Sequence, residues 1–110
     1  MKIKLVVFTT SAVKEPFYDW QNKLSKNARA IVRTRLDRIA LGNFGDCTVI
    51  KNGGGICELR IDFGPGYRIY YGKKGQTVVI LLVGGDKSSQ GRDIAKAKRY
   101  WDESKELSHE

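Results

Sequence analysis

The chain has 110 residues, a length that suits one domain with a single core. Hydrophobic residues make up 41% of it and charged residues 29%, a composition that argues against disorder. Twenty Lys and Arg residues stand against twelve Asp and Glu residues, so the formal net charge is +8. Such an excess favours a polyanionic partner such as nucleic acid, or an acidic protein, although charge also serves solubility.

Three further patterns limit the class of protein. No apolar run approaches the length of a membrane span, and the first eight residues become polar too quickly for a signal peptide, so we expect a cytoplasmic protein without membrane association. Cys47 and Cys57 flank a glycine-rich turn, and in a reducing compartment we expect buried free thiols rather than a disulfide. With His109 as the one histidine and no Cys-x-x-Cys pair, we expect no metal site and no cofactor.

The first third of the chain predicts a strand followed by two helices. The β-branched and aromatic run from Lys2 to Thr9 is typical of a strand. Ser11 and Pro16 mark the start of a helix, because proline is tolerated in the first turn. The apolar stripe of that helix, in which Trp20 is expected to pack in the core, is Phe17, Trp20 and Leu24.

The second helix is predicted to begin after Asn27 as N-cap and to end at Gly42. Its buried stripe is predicted to be Ala28, Ile31, Val32, Leu36 and Ile39. Its polar side carries Arg29, Arg33, Arg35 and Arg38. Arginines in this position are mostly solvated, with their stems over apolar neighbours; the alternative is contact with phosphate groups or with an acidic segment of a partner.

An antiparallel hairpin is predicted from Cys57 to Tyr71, because two alternating runs flank the sequence Gly64-Pro65-Gly66. With a three-residue turn, the expected cross-strand pairs are Phe63 with Tyr67, Asp62 with Arg68 and Arg60 with Tyr70. One face of the hairpin would then carry a candidate site of Glu58, Arg60, Asp62, Arg68 and Tyr70. The alternative is a solvated sheet face with cross-strand ion pairs, which are common and contribute about 0.2–1 kcal/mol each.

The last third predicts a central strand and a final helix. The apolar run from Thr77 to Val83 is expected in the middle of a sheet covered on both faces. Asp86 or Ser88 is expected to cap a helix whose buried residues are Ile94, Ala97 and Trp101, with fraying from 102 to 110. The predicted fold is therefore a small single α+β domain: an N-terminal strand, a helical hairpin, an antiparallel sheet of three to four further strands and a C-terminal helix.

Six stretches of the sequence resemble the RelE/ParE superfamily of toxins from bacterial toxin–antitoxin modules, and within it the branch of HigB-like addiction-module killer proteins. They are Phe17–Trp20, Ala28–Ile39, Gly42–Asp46, Cys57–Ile61, Gly64–Tyr71 and Gly84–Gln90. The resemblance covers residues 3 to 102 of a single toxin domain. It implies a microbial-RNase-like fold, cleavage of messenger RNA on the ribosome, and inhibition by a co-encoded, HigA-like helix-turn-helix antitoxin.

The resemblance also implies roles for individual residues. Arg68 matches the arginine that contacts the scissile phosphate in RNA-cleaving members, Arg60 matches a basic residue of the preceding strand, and Lys87 matches the basic residue after the last strand. Glu58 stands where that preceding strand usually has a second basic residue. We expect further RNA contacts from Arg29, Arg33, Lys73 and Lys74.

Two questions stay open at the level of the sequence. RNA cleavage without a metal needs a general base for the 2′-hydroxyl, and either Glu58 or Tyr70 is a candidate, the latter if the neighbouring arginines lower its pKa. The ParE-like members of the superfamily inhibit DNA gyrase without hydrolysis, and an inactive antitoxin-binding relative is a third possibility. The chemistry of the predicted hairpin favours the nuclease, since Arg68, Arg60 and Lys87 would otherwise have no phosphate to act on.

Overall fold

The computed structural model describes residues 2–107. In chain order these residues form β1 (Lys4–Val7), α1 (Pro16–Asn22), α2 (Lys26–Ala40), β2 (Cys47–Val49), β3 (Ile56–Ile61), β4 (Tyr67–Lys74), β5 (Val78–Asp86), a 3-10 turn (Lys87–Ser89) and α3 (Gln90–Leu107). None of the helices in this range is long and apolar enough to cross a membrane. His109, with the rest of 108–110, lies outside the described residues.

The five strands form one mixed sheet in the order β1-β5-β4-β3-β2. β1 runs parallel to β5, and the other neighbouring pairs are antiparallel. The chain therefore has the predicted N-terminal strand, helical hairpin, four further strands and C-terminal helix, and the α+β prediction is confirmed. β5 lies between β1 and β4, which explains its nearly continuous apolar sequence, since helices cover both of its faces.

Helices pack on both faces of the sheet and create two apolar clusters. On one face, α1 and α2 cover side chains of the sheet, and the fully buried members include Phe17, Val32, Ile39, Leu59, Ile69 and Val79. On the other face, α3 covers a second cluster that includes Ile56, Tyr70, Leu82, Ala97 and Trp101. Alternation along the strands explains this division, because successive side chains point to opposite faces.

The residues that cap α2 differ from the prediction at its start and agree with it at its end. Ser25 is the N-cap, and its hydroxyl accepts a hydrogen bond from the backbone N–H of Ala28 at 3.2 Å. The prediction of Asn27 as N-cap is wrong: Asn27 is the second residue of the helix, and the hydroxyl of Ser25 caps it instead. Gly42 follows the helix with φ of +92°, which confirms the predicted C-terminal glycine.

A β-bulge in β5 sets which residues face each helix. Tyr70 pairs with Val83 and Tyr71 pairs with Leu81, so Leu82 is an extra residue on β5. Leu82 and Val83 consequently both belong to the cluster under α3. Beyond the bulge the alternation resumes, so Gly84 faces α1 and Gly85 faces α3.

Gly84 and Gly85 allow both helices to approach the end of β5 closely. A Cβ at Gly84 would overlap the indole ring of Trp20, and a Cβ at Gly85 would overlap the carboxylate of Asp93. Side chains at these two positions would therefore push α1 and α3 away from the sheet. This close approach matters for the site, because Gly85 is the cross-strand partner of Arg68.

The α3 helix is longer than the sequence indicated. It continues to Leu107, so the predicted fraying directly after Trp101 was wrong. Trp101 is buried, and its indole N–H donates a hydrogen bond to the carbonyl oxygen of Gly54 at 3.0 Å. The indole ring also occupies the space where a side chain at Gly72 would stand. These contacts hold α3 against the sheet well before its end.

Both cysteines are free thiols, as predicted. Cys57 is buried as expected, whereas Cys47 is only partly buried because it lies on the edge strand β2. Burial raises the pKa of the Cys47 thiol and of the Cys57 thiol, although hydrogen bonding to Tyr71 acts in the opposite direction. The neutral, unreactive form of each thiol is therefore favoured.

Candidate active site

The β3–β4 hairpin has a different register from the predicted one. Its turn comprises the five residues 62–66 rather than three, since Ile61 pairs with Tyr67. The predicted pair of Asp62 with Arg68 was therefore wrong, and so was the pair of Arg60 with Tyr70. The observed pairs place Arg60 opposite Arg68 and Glu58 opposite Tyr70. Phe63 is not the strand partner of Tyr67, although the two rings stack with centroids 6.4 Å apart.

The shifted register brings the three predicted cationic residues to one cleft. This cleft has a volume of about 370 Å³ and is bounded on one side by the turn that contains Gly64, Pro65 and Gly66. Arg60, Arg68 and Lys87 all line it. Because one strand pair supplies both arginines, their backbone positions are fixed by the sheet rather than by a flexible loop.

Lys87 reaches the cleft from the turn between β5 and α3. Asp86 caps this turn: its carboxylate accepts a hydrogen bond from the backbone N–H of Ser88 at 2.8 Å. Hydrogen bonds from Ser88 hold the pKa of Asp86 below its usual value. The prediction that Asp86 or Ser88 acts as cap is confirmed for Asp86, with the difference that the capped segment is a short 3-10 turn before α3. The cap fixes the backbone from which Lys87 projects.

Glu58 is buried beneath the two arginines. Its Oε1 lies 3.9 Å from Arg60 Nε and 3.9 Å from Arg68 Nη1, and only 5% of its side chain is exposed. Its Oε2 accepts a hydrogen bond of 2.7 Å from Gln90 Nε2 on α3. A carboxylate placed in this way compensates the charge of Arg68, whose side chain is only 12% exposed, and it restricts where both guanidinium groups can lie.

Tyr70 lies deeper than Glu58 and does not line the cleft. Burial, together with the nearby carboxylates of Glu58 and Asp93, raises the pKa of Tyr70 well above its usual value. Arg68 opposes this shift but does not reverse it. The expectation that neighbouring arginines lower the pKa of Tyr70 was therefore wrong. The neutral phenol is favoured, and a buried neutral phenol is a poor general base.

Two polar residues of the site were missed in the sequence. Asp46 lies on the rim of the cleft, with 66% of its side chain exposed and its Oδ1 4.0 Å from Arg60 Nε. Its position follows from β2 lying beside β3, where the Asp46 carbonyl accepts the backbone N–H of Arg60 at 2.9 Å. Gln90 reaches Glu58 from the start of α3. Neither contact has a local sequence signal, because each joins residues that are distant in the chain.

The predicted RNA-binding residues are not part of this cleft. Arg29 and Arg33 are exposed on α2, which packs on the opposite face of the sheet from α3. Lys73 and Lys74 lie at the other end of β4 from Arg68, about 17 Å away at the usual rise of a strand. The Lys73 ammonium sits 4.3 Å from the centroid of the Phe44 ring. RNA binding by these four residues stays a prediction.

The arrangement of the cleft suits a phosphate group better than a metal ion. Its lining includes two arginines and one lysine, beside the aspartates Asp46 and Asp62. Within residues 2–107, no group of three or more His, Cys, Asp or Glu side chains could hold a metal. Planar guanidinium groups donate paired hydrogen bonds to phosphate oxygens, so the wall can stabilise an anionic phosphorus centre.

Comparison with known proteins identifies the family. The family model described as "Phage derived protein Gp49-like (DUF891)" matches residues 19–102. The chain belongs to this family. The matched Gp49-like segment contains α2, all of β2 to β5 and most of α3, and therefore every residue that lines the cleft.

The chain also resembles a curated protein over most of its length. A Haemophilus influenzae protein named "Uncharacterized protein" is 47% identical over 83 residues, which cover 74% of this chain and 82% of the relative. The Gp49-like family is associated with toxin–antitoxin modules, which agrees with the context that the sequence resemblance implied. Membership of such a family points to an antitoxin as a partner of the chain.

Proposed function

We propose that this Gp49-like chain is the toxin of a type II toxin–antitoxin module, of the HigB-like branch of the RelE/ParE superfamily. In this proposal it is an endoribonuclease that cleaves messenger RNA on the ribosome, inhibits translation and needs no metal. The observation that carries the proposal is the convergence of Arg60, Arg68 and Lys87 on one cleft. The three residues come from different elements of the fold, namely β3, β4 and the turn after β5, yet they line the same cleft. A shared role in binding a phosphate group would explain why three cations lie so close together.

Arg68 is proposed to bind the scissile phosphate. It lies in the middle of the cleft's cationic wall, with Arg60 directly opposite on β3. Fixed cations that meet charge as it develops in the transition state usually provide the largest part of the rate enhancement. Glu58 acts in the proposal as a positioning residue, since it is buried beneath both guanidinium groups and is held by Gln90.

The proton transfers can be assigned to groups on the cleft wall. The Asp46 carboxylate is proposed to take the proton from the 2′-hydroxyl, in place of Glu58 and Tyr70, because Asp46 is the exposed carboxylate nearest to Arg60. The 2′-oxygen then attacks phosphorus, and the bond from phosphorus to the 5′-oxygen breaks. The Lys87 ammonium is proposed to protonate that leaving oxygen, so the products are a 2′,3′-cyclic phosphate and a 5′-hydroxyl.

The proposed partners are RNA, the ribosome and a HigA-like helix-turn-helix antitoxin in the cytoplasm. Arg29 and Arg33 on α2, with Lys73 and Lys74 at the far end of β4, would contact RNA phosphates outside the cleft. Such contacts add affinity without specifying sequence. The antitoxin would be required to keep the toxin inactive in the cell that carries both genes.

A brief pulse of expression followed by primer extension on a reporter messenger RNA tests the proposal. Discrete cuts inside translated codons, which disappear when translation is blocked, are the expected result. Growth arrest without any cuts would contradict it. A DNA supercoiling assay with purified gyrase would then distinguish a ParE-like inhibitor, and a complete lack of growth arrest would indicate an inactive antitoxin-binding relative.

A further inference from the structure

A second depression, larger than the cleft, lies between α1 and α3. We call it the α1–α3 groove; its volume is about 480 Å³. Its walls include Trp20 and Lys23 of α1 and Lys96 and Tyr100 of α3. Its floor is the end of β5, from Val83 to Asp86, which extends beyond the last residue paired with β1. The groove exists because β1 ends at Val7 while β5 continues.

The rim of the α1–α3 groove is rich in cations. Lys14, Lys23, Arg92 and Lys96 line it. Within residues 2–107, no carboxylate lies within 4.0 Å of the ammonium groups of Lys14, Lys23 or Lys96. Two of the groove's acidic groups are engaged by the chain, because Asp93 is buried and accepts a hydrogen bond from Ser89, and Asp86 caps the turn after β5. The third acidic residue of the lining, Asp19, is exposed, so the four cations of the groove exceed its three carboxylates by one charge and its rim is weakly positive.

Two aromatic rings stand in opposite walls of the groove. Trp20 and Tyr100 are both partly exposed. Trp20 is backed by Gly84, which lacks the Cβ that would overlap the indole ring. Tyr100 is backed by Phe8, with ring centroids 5.4 Å apart. Rings held in this way lose little conformational freedom when a flat partner stacks on them.

The groove and the cleft are neighbours. Asp86 lines the groove and the next residue, Lys87, lines the cleft. Gly85 on the floor of the groove is the cross-strand partner of Arg68 in the cleft, so one inter-strand spacing of about 4.8 Å separates their backbones. An extended polymeric ligand that occupies the cleft can therefore reach the groove by passing over the turn after β5.

We propose that the α1–α3 groove binds nucleotides of single-stranded RNA that flank the phosphate held in the cleft. Aromatic platforms combined with unpaired cations are the usual means of binding single strands, since every base has a stacking face and every nucleotide a phosphate. An added peptide strand is the rival occupant, because β5 has no strand partner on this side beyond Leu81. The two partly exposed rings and the lysines of the rim favour RNA over a peptide strand. The inference rests on the proposed function, whose substrate it extends.

The test measures binding of a 12-nucleotide RNA with 2′-O-methyl groups throughout, which lacks the nucleophile and cannot be cleaved. Fluorescence anisotropy over a range of KCl concentrations compares wild type with Lys23→Ala/Lys96→Ala. Lys51→Ala/Lys98→Ala is the matched control, because it removes the same charge from residues that line neither the groove nor the cleft. The groove variant should bind about 10-fold more weakly at low salt, and its salt slope should fall by about 1.4, or 0.7 for each phosphate contact.

Fluorescence of Trp20 gives an independent readout. In a Trp101→Phe background Trp20 is the one remaining tryptophan, since the chain has two. RNA should quench this emission if a base stacks on the ring. Unquenched emission, or a groove variant that binds like its control, would overturn the groove as an RNA site. A third result would also overturn it: the antitoxin, but not RNA, protects Lys23 and Lys96 against chemical acetylation.

The two proposals can fail separately. If the groove variant binds RNA like its control while cleavage still depends on Arg68, the groove proposal is wrong and the nuclease proposal stands. If RNA binding depends on Lys23 and Lys96 but no RNA is cleaved by wild type, the groove is an RNA site of a protein that is not a nuclease.

Discussion

Arg60 lies directly opposite Arg68 in the β3–β4 pair. Like charges at such a position normally destabilise a sheet. Here the buried carboxylate of Glu58 lies 3.9 Å from a guanidinium nitrogen of each arginine. The pair is therefore tolerated because a third residue compensates it, and the two arginines stay together on the wall of the cleft.

Replacing Glu58 tests this compensation. Glu58→Gln keeps the shape of the side chain but removes the charge, which leaves the largely buried Arg68 without its carboxylate. We expect the free energy of unfolding to fall by about 1–3 kcal/mol. Urea denaturation measures it, with Glu106→Gln as control because that side chain is exposed on α3. Equal stability of the two variants would show that Glu58 does not hold the arginine pair.

The contact between Gly85 and α3 gives a second prediction. Gly85→Ala should lower the free energy of unfolding by about 1–3 kcal/mol, because the new Cβ overlaps the Asp93 carboxylate and meets Ser89. Gly91→Ala is the matched control: it lies in α3, and nothing is within 4 Å of its Cβ position. We expect Gly91→Ala to raise stability by about 0.5–1 kcal/mol, as alanine does in a helix. Thermal unfolding that ranks the two variants in the reverse order would refute the packing described for α3.

The start of α2 gives a third prediction. Ser25→Ala should cost about 1 kcal/mol, because it removes the hydroxyl that accepts the Ala28 N–H. Asn27→Ala should cost nothing and can stabilise, since Asn27 is inside the helix and alanine is the better helix former. Urea denaturation of both variants compares the observed cap with the one that the sequence suggested. A larger loss for Asn27→Ala would restore the sequence-based assignment.

Tyr70 gives a prediction about alkaline pH. The pKa of Tyr70 is raised in the folded state, whereas an unfolded tyrosine titrates near pH 10. The folded state thus holds the proton more tightly, so the contribution of Tyr70 is complete below about pH 10 and is lost above it, at up to about 1.4 kcal/mol per pH unit. In Tyr70→Phe this loss should shrink but not vanish, because the pKa of Tyr71 is also raised.

The measurement is urea denaturation at several pH values between 8 and 11, conditions that bracket the unfolded pKa. Tyr18→Phe is the control, because its side chain is exposed on α1. A Tyr70→Phe protein that loses stability with pH as steeply as this control would mean that the Tyr70 hydroxyl is not protected by the fold.

The sequence predicted the helices and strands better than the register in which the strands pair. Apolar periodicity identified the buried faces of α2 and β5, because burial leaves a direct mark on residue type. Gly64-Pro65-Gly66 predicts a three-residue turn after β3, but Asp62 and Phe63 also leave the strand, and this shifts every cross-strand pair. Turn length depends on how both strands pack, which no local pattern records.

In the candidate site, too, residue types could be predicted from the sequence, whereas contacts between distant elements could not. Arg60, Arg68 and Lys87 could be selected by residue type and by resemblance, and they do line one cleft. Asp46 and Gln90 could not, because β2 must pair with β3, and α3 must cross the sheet, before they meet the other residues. The pKa of Tyr70 was predicted in the wrong direction because its burial under α3 outweighs the neighbouring charge of Arg68.

The most direct test of the proposed cation wall is primer extension on a reporter messenger RNA after brief expression of Arg68→Ala, compared with brief expression of Lys98→Ala. Lys98 lies on α3 and lines neither the cleft nor the groove, so this control removes an equal charge. We predict that the Lys98→Ala protein cuts like wild type and that the Arg68→Ala protein is folded but cuts about 10²–10³-fold more slowly. A folded Arg68→Ala protein that produces the wild-type cuts at the wild-type rate would contradict the account.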